Sequence, residues 1–443
     1  MSIEARLPET TVGRSALLKA SWRLLPLFAL GYGIAYMDRI NISFASLRMN
    51  QDLHFSAGVY GLGAGLFFLS YALCEVPSNL LLIRMGARLW IARIMLTWGV
   101  LAVSMMFVST PLQFYIVRLL LGMAEAGFFP GVVFYLTYWF PARYRARALS
   151  RFYVALPLST VMIGIISPAL LDLQGQLGLA GWKWLFLVEG APAVLLSAVV
   201  FLVLPDGPAR AKWLSEGERD WIADQLAADE AALGPPRKHS LRAALSHPLV
   251  WRLGLSNLFI LGAGNTFLLS APAVLQGATH WTTGLIGLVV AGAGLLGAAA
   301  MLANGAHSDH DRERHMHIVI PVIVIAGAFV VMALATAPWL VVSAYVVFFV
   351  CAMAVQGVFM SIPGDALSGR SAAIGMAAIV AVGQVGSFVG PPIWGWAKDH
   401  TGSYHAGLLA MPVFFLLGAV IVFTLRQIAR SGQIGNALAR AAA

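Results

Sequence analysis

Apolar residues along this chain run in long stretches, and polar ones gather into short breaks between them. Windows of about 20 residues, enough for a helix to cross ~30 Å of hydrocarbon, predict twelve spans. The first six fall near 22–48, 58–82, 90–108, 112–140, 146–171 and 183–204. The second six fall near 249–275, 282–304, 317–335, 338–361, 371–397 and 405–426. The breaks alternate in charge. Arg84 and Arg88 follow the second span, Arg143, Arg145 and Arg147 the fourth, and Arg312 and Arg314 the eighth, and both ends of the chain are basic. The opposite breaks, at 109–111, 172–181, 276–281 and 335–338, hold no Lys or Arg. Positive charge marks the cytoplasmic side, so both termini are expected there, with an even number of spans.

One stretch departs from the pattern. Leu204-Pro205-Asp206-Gly207-Pro208 ends the sixth span, and Ser215-Glu216-Gly217-Glu218 has the form of a capping box opening a short amphipathic helix. Gly234-Pro235-Pro236 closes the segment. The expected organisation is a tail over 1–21, a six-helix bundle over 22–204, a solvated linker over 205–248, a second bundle over 249–426 and a tail over 427–443. A faint echo links the halves. Arg84-Met85-Gly86-Ala87-Arg88 follows span two, and Gly305-Ala306-His307-Ser308-Asp309, with Arg312 and Arg314 beyond it, follows span eight. Such an echo implies a parallel duplication, with a site expected at the interface of the halves near the midplane.

Composition narrows the class. Of 443 residues, 59% are hydrophobic and 11% charged, against about 25% charged in soluble domains. The fold class expected is therefore an all-α polytopic membrane protein. The net charge of +9 would suit nucleic acid only on a continuous basic face, and here it is dispersed over loops. Cys74 and Cys351 lie in apolar runs and read as packing residues. The first twenty residues hold Arg6, Arg14 and Lys19 but no apolar core with a cleavage site, so no cleaved signal is expected.

Against this background, Asp38, Arg39, Arg118 and Glu125 lie deep inside apolar spans. Each charge at the midplane is disfavoured by roughly 3 kcal/mol unless it faces a partner or water. On a helix Tyr36 shares a face with Arg39, Asp38 lies about 100° from it, and Arg118 and Glu125 are two turns, about 10 Å, apart on one face. Tyr71 and Glu75 are likewise neighbours, one turn apart. Arginine stays charged, and its fork matches a carboxylate. A buried acid is raised by desolvation and lowered by a nearby arginine, so an arriving anion can switch its protonation. The constellation thus suits holding an anion and counting protons.

Other charges read as structural. Arg84, Arg88, Asp309 and Arg314 at the cytoplasmic rim are expected to brace or gate, with Glu75 nearer that end in the same role, and Glu189 is read as a structural acid close to the outer face. Glycines and prolines cluster around Glu125 (Gly122, Gly127, Pro130, Gly131) and in span eleven (Gly383, Gly386, Gly390, Pro391, Pro392). Such clusters allow close helix approach and bending. The tract from His307 to His317 superficially resembles a metal site, but its interleaved arginines and loop location argue against one. No phosphate-cradling glycine loop points to ATP, and no nucleophile–base motif points to an enzyme.

The stretches Tyr36-Met37-Asp38-Arg39-Ile40-Asn41, Glu75-Val76-Pro77-Ser78-Asn79 and Gly86-Ala87-Arg88-Leu89-Trp90 carry a family resemblance. So do the run from Arg118 through Glu125 to Gly131, Trp139-Phe140-Pro141, and Gly181-Trp182-Lys183-Trp184 through Glu189-Gly190. Together they resemble the major facilitator superfamily and, within it, the anion:cation symporter family of galactonate, glucarate, tartrate, phthalate and hydroxyphenylacetate carriers. The resemblance implies two pseudo-symmetric six-helix bundles working by alternating access. It implies Arg39 and Arg118 on the substrate carboxylate, Asp38 and Glu125 carrying the transported protons, and Tyr36 and Tyr71 lining the cavity. The expected partners are a small organic anion, protons and the lipid of a cell (inner) membrane, with no cofactor, no metal and no nucleic acid, in a monomer. Anion exchange and anion sensing without transport are the rival readings. The second half departs from the family: Met360 and Gly364 in span ten and Gln384 in span eleven replace the usual tryptophan, threonine and asparagine. Those positions shape the substrate's non-carboxylate end, so the acid carried stays open among sugar acids, dicarboxylates and aromatic acids.

Overall fold

The structure, a computed structural model, describes residues 10–232, 246–363 and 369–430. Gly234-Pro235-Pro236, Gly364 and the tail beyond Arg430 lie outside the described residues. Within them the regular structure is helical. The first half contains α1 (Thr11–Asp52), α2 (Ala57–Met85), α3 (Ala87–Ser104), α4 (Pro111–Glu125), α5 (Phe128–Thr137), α6 (Ala142–Tyr153), α7 (Ala155–Leu171) and α8 (Gly181–Val203). The linker helix is α9 (Glu216–Ala232). Then follow α10 (Pro248–Leu268), α11 (Ala271–Thr279), α12 (Thr283–Asp311), α13 (Met316–Leu334), α14 (Pro338–Phe359), α15 (Gly369–Thr401) and α16 (His405–Arg430).

Among the described residues, ten helical segments are long and apolar enough to cross a membrane, and eleven if α10 and α11, bent by 54° at their junction, form one span. Helix α1 is outside that set; Arg14, Lys19, Arg23, Asp38, Arg39 and Arg48 dilute its hydropathy. Large apolar side chains such as Leu202, Leu288, Leu334 and Ile393 are exposed, as suits a surface whose solvent is lipid.

The chain forms two compact units. One comprises residues 1–48 and 69–237, the other 49–68 and 238–443. In the first, α3 packs along α8, and Trp98, Trp139, Trp182 and Phe114 are among its fully buried rings. In the second, α10 packs on α15 and α16, and α14 on α12 and α13. The α10–α15 crossing is close because it is lined by glycine. A Cβ on Gly262 would stand 2.7 Å from the Cα of Gly386, so backbones meet with no side chain between. The N-terminal part of α2 also belongs to this unit. Tyr60 Oη donates to the Leu269 carbonyl at 2.6 Å, and Asp399 accepts from the backbone N–H groups of Ala57 and Gly58 at 2.9 and 2.8 Å.

Three departures from the predicted elements have local causes. Helix α1 begins at Thr11 rather than at residue 22, because Ala16, Leu17, Ala20 and Leu24 form a buried stripe at helical spacing. The fourth predicted span breaks between Glu125 and Phe128. Gly127 there has φ +89°, and a Cβ on it would lie 2.3 Å from Ser78 Oγ, so both the left-handed conformation and the close approach require glycine. The seventh span bends at Ser270, where Pro272 opens α11.

The linker helix carries the predicted capping box. Glu218 N donates to Ser215 Oγ at 3.3 Å, and Ser215 N donates to Glu218 Oε2 at 2.8 Å. Glu218 also accepts from Ser15 Oγ at 2.6 Å and pairs with Lys19 Nζ at 2.8 Å, so α9 is fastened to the start of α1. Burial alone would raise the Glu218 carboxyl. The Lys19 and Ser15 hydrogen bonds and the Ser215 amide outweigh it and hold the group at about 2, below the ordinary 4.5. A depressed acid stabilises the fold above its unfolded value and loses that contribution as pH falls through the folded one. Glu218→Gln should therefore lower stability by about 1 kcal/mol at neutral pH, the scale of a lost cap; Lys19 is half exposed, and solvent screens its share. Melting of both proteins between pH 7 and pH 3 checks this: the gap should close toward acid.

Candidate functional site

The four intramembrane charges come together inside the first unit. Asp38, Arg118 and Glu125 are 1%, 0% and 1% exposed. Helix α4 supplies Arg118 and, as its last residue, Glu125; α1 supplies Asp38 and Arg39. Arg39 Nη2 donates to Glu125 Oε1 in a charge-assisted pair. Arg118 acts electrostatically on both carboxyls, Asp38 and Glu125. The result is two guanidinium groups interleaved with two carboxyls in an apolar interior, the arrangement that offsets the cost of burying each charge singly. It is also one in which an incoming carboxylate competes with a resident acid for an arginine.

Aromatic rings shape one side. The Arg39 guanidinium lies over the Tyr71 ring at 4.9 Å, a cation–π contact. Tyr36 is half-buried on the face of α1 that carries Arg39. Tyr32, which the sequence reading passed over, is buried against Phe129 and Phe152, at 5.2 and 4.9 Å between centroids, and faces Arg39 and Glu125. Its spacing of seven from Arg39, the same two-turn interval as Arg118 to Glu125, is the signal that marks it.

On the other side Asp38 meets Asn41, whose Nδ2 donates to Asp38 Oδ1 at 3.3 Å, and the buried indole of Trp98. Asn41 in turn faces Glu189 of α8, which accepts from Ser167 Oγ of α7 at 3.1 Å. Glu189, read from sequence as a structural acid close to the outer face, is 3% exposed and has Asn41 and Asp38 as neighbours.

The remaining expected residues lie elsewhere. Glu75 is half-buried and faces Arg39 and Tyr71, closer to the central charges than a rim position implies. Arg84 is exposed in the last turn of α2. Arg88 donates its backbone N–H to Asp206 Oδ1 at 3.4 Å and lays its guanidinium over Phe201. In the second unit Arg314 pairs with Asp309 and donates to Ser308 Oγ at 3.2 Å. Gln384 is also in that unit, buried on α15 with its Oε1 without a hydrogen bond among the described residues.

The His307–His317 tract is more organised than its loop position implies. Ligand-type atoms of His307, Asp311 and His317 lie within 4.8 Å of one another. Two of the three side chains are exposed. The contacts formed include a 2.6 Å bond between the His307 and His317 rings, a 3.1 Å bond from His317 Nδ1 to Glu313, and His307 Nε2 at 3.6 Å from Asp311 Oδ2. Arg426 closes on the same Glu313 at 3.5 Å, so the tract ties α12, α13 and α16 together.

Comparison with known proteins agrees with this architecture. A protein of Agrobacterium vitis named for tartrate transport is 43% identical over 413 residues, covering 93% of this chain and 91% of that one. A quinolone resistance transporter of Acinetobacter baumannii is 36% identical over 403 residues, covering 91% and 93%. Among solved structures, a bacterial homologue of the human lysosomal transporter Spinster, inward-facing and unoccupied, superposes with a TM-score of 0.73 at 18% identity, covering 91% of this chain and 96% of that one. The family model for the Major Facilitator Superfamily matches residues 28–391. The chain therefore belongs to the Major Facilitator Superfamily and is a membrane transporter rather than an enzyme.

Proposed function

We propose that the protein takes up a small organic carboxylate together with protons, by alternating access. The observation that carries this reading is the convergence of Arg39 and Arg118 with Asp38 and Glu125 in a dry interior. The anion's carboxylate settles on Arg118 and draws Arg39 away from Glu125. Each acid that loses its arginine then takes a proton, because an unpaired carboxylate is disfavoured away from water. With a dicarboxylate and two protons the loaded site balances as the empty one does, two guanidinium groups against two negative charges, so neither state has to switch its open face with an unpaired buried charge. Twelve spans, with α1 as the first and the bent α10–α11 pair as the seventh, would leave both termini in the cytoplasm of a bacterial inner membrane, in keeping with the loop charges.

A dicarboxylate such as tartrate is the leading substrate, because a relative sharing 43% of residues is named for it. The quinolone-named relative favours a second reading in which an aromatic carboxylate leaves the cell. Proteoliposomes of known orientation, loaded at pH 7.5 and diluted into labelled tartrate at pH 5.5 or 7.5, separate the two (both pH values are about two units apart by design, a hundredfold proton gradient). Accumulation only with acid outside supports symport. Uptake indifferent to the gradient, or driven by the opposite one, overturns it.

A further inference from the structure

The central machinery leaves one fully buried acid without a task. Glu189 is enclosed by α1, α7 and α8, and the groups that face it are Ser167, Asn41 and Asp38. No cation is among them. An ionised carboxylate so placed would have neither water nor a counter-charge. Its hydrogen bonding makes the same point: Oε1 accepts from Ser167, whereas Oε2, beside Asn41, is buried with no hydrogen bond formed among the described residues. Asn41 Oδ1 likewise has no hydrogen bond among the described residues, and Asp38 Oδ2 has only the Trp98 indole facing it as a donor. With Trp98 Nε1 given to Asp38, Glu189 Oε2 and Asn41 Oδ1 remain neighbouring acceptors with no donor between them, and a proton on Glu189 supplies one, since buried polar atoms rarely go unpaired.

We propose that Glu189 and Asp38 form a coupled acid pair bridged by the Asn41 amide, which between them hold one proton when the carrier is empty and two when it is loaded. In the empty state Asp38 is ionised toward Arg118, with Glu125, Asn41 and Trp98 as its other neighbours, and the proton resides on Glu189. The Glu189 hydroxyl donates to Asn41 Oδ1, and the Asn41 N–H donates to Asp38 Oδ1. Loading moves a proton from hydronium on the open aqueous side to Asp38: one O–H bond of the hydronium breaks and leaves water, one O–H bond forms on the carboxyl, and the pair's single negative charge is removed. Glu189 is then a positioning residue: it touches no substrate, and it sets the pH at which Asp38 gains and loses its proton. The inference rests on the proton-coupled reading for its purpose, though not for its chemistry.

Two measurements on the purified full-length protein test it. The first is infrared titration of protonated-carboxyl C=O bands in wild type, Glu189→Gln and Glu189→Asp, with Glu125→Gln to remove the other buried acid. A coupled pair titrates as a unit, so Glu189→Gln should remove one band and move the midpoint of the Asp38 band by about one pH unit or more, and Glu189→Asp should restore both. The second is the pH profile of gradient-driven tartrate uptake, whose midpoint should move with the band. If Glu189→Gln deletes its own band but leaves the Asp38 midpoint and the uptake profile in place, Glu189 is a static acid and the pair is refuted. Coupled titration in a wild-type protein that shows no proton-driven uptake would instead sink the symport reading and leave the pair standing. Glu189→Asp guards against a Gln variant that fails to fold.

Discussion

Asp38→Asn and Glu125→Gln are each expected to abolish accumulation of the anion against its gradient while leaving exchange of internal for external anion within about threefold of wild type, a change under 1 kcal/mol. The reason lies in what each substitution removes. Asn and Gln keep the shape and one hydrogen-bonding oxygen but never take up or release a proton. With Glu125 neutral, Arg39 loses its charge-assisted partner and is permanently available to an anion, so binding survives. The link between anion occupancy and proton occupancy does not survive, because the competing group is gone. Proteoliposome uptake with and without a pH gradient, set beside counterflow in the same vesicles, makes the measurement. Concentrative uptake by both variants would show that neither carboxyl counts protons.

Arg118→Lys should be nearly as damaging, in the opposite way. Lysine preserves the charge that Asp38 and Glu125 face, so the fold should tolerate it. Its single ammonium replaces a planar fork that grips both oxygens of a carboxylate. Losing one charge-assisted hydrogen bond costs about 2 kcal/mol, which predicts about a 30-fold weaker half-saturation for uptake. The pH midpoint should change little. Arg39→Lys should weaken binding less, because Arg39 already shares its guanidinium with Glu125 and the Tyr71 ring. Equal losses at the two positions, or none at Arg118, would show that the anion is not held where the guanidinium groups converge. Concentration dependence of labelled uptake, with melting curves as the folding control, reads all three outcomes.

Much of this was written in the order of residues, for identifiable reasons. Apolar windows locate helices in a membrane protein because the bilayer leaves the backbone no other way to satisfy itself. The cost of burying Asp38, Arg39, Arg118 and Glu125 makes their convergence predictable before any fold is known. Local chemistry was equally legible at Ser215–Glu218, where a four-residue pattern became a reciprocal pair of hydrogen bonds. What escaped depended on contacts between distant segments. Arg14 and Lys19 made residues 11–21 look like a tail, although the stripe Ala16-Leu17-Ala20-Leu24 packs and Glu218, two hundred residues on, neutralises Lys19. Glu189 looked peripheral because its distance from the end of its own span says nothing about which face meets Asn41. The grouping of residues 49–68 with the second unit likewise follows from backbone contact at glycines and leaves no hydropathy signal.

The break at Gly127 has a mechanical corollary. Because α4 ends at Glu125, the guanidinium of Arg118 and the carboxyl of Glu125 ride on one unbroken rod, and the swivel comes only after both. A rod does not stretch, so their axial separation is a constant of the machine whichever way it faces. An exchange of partner at Glu125 is then set by how its side chain turns and by what α1 presents beside it, never by a change of length within α4.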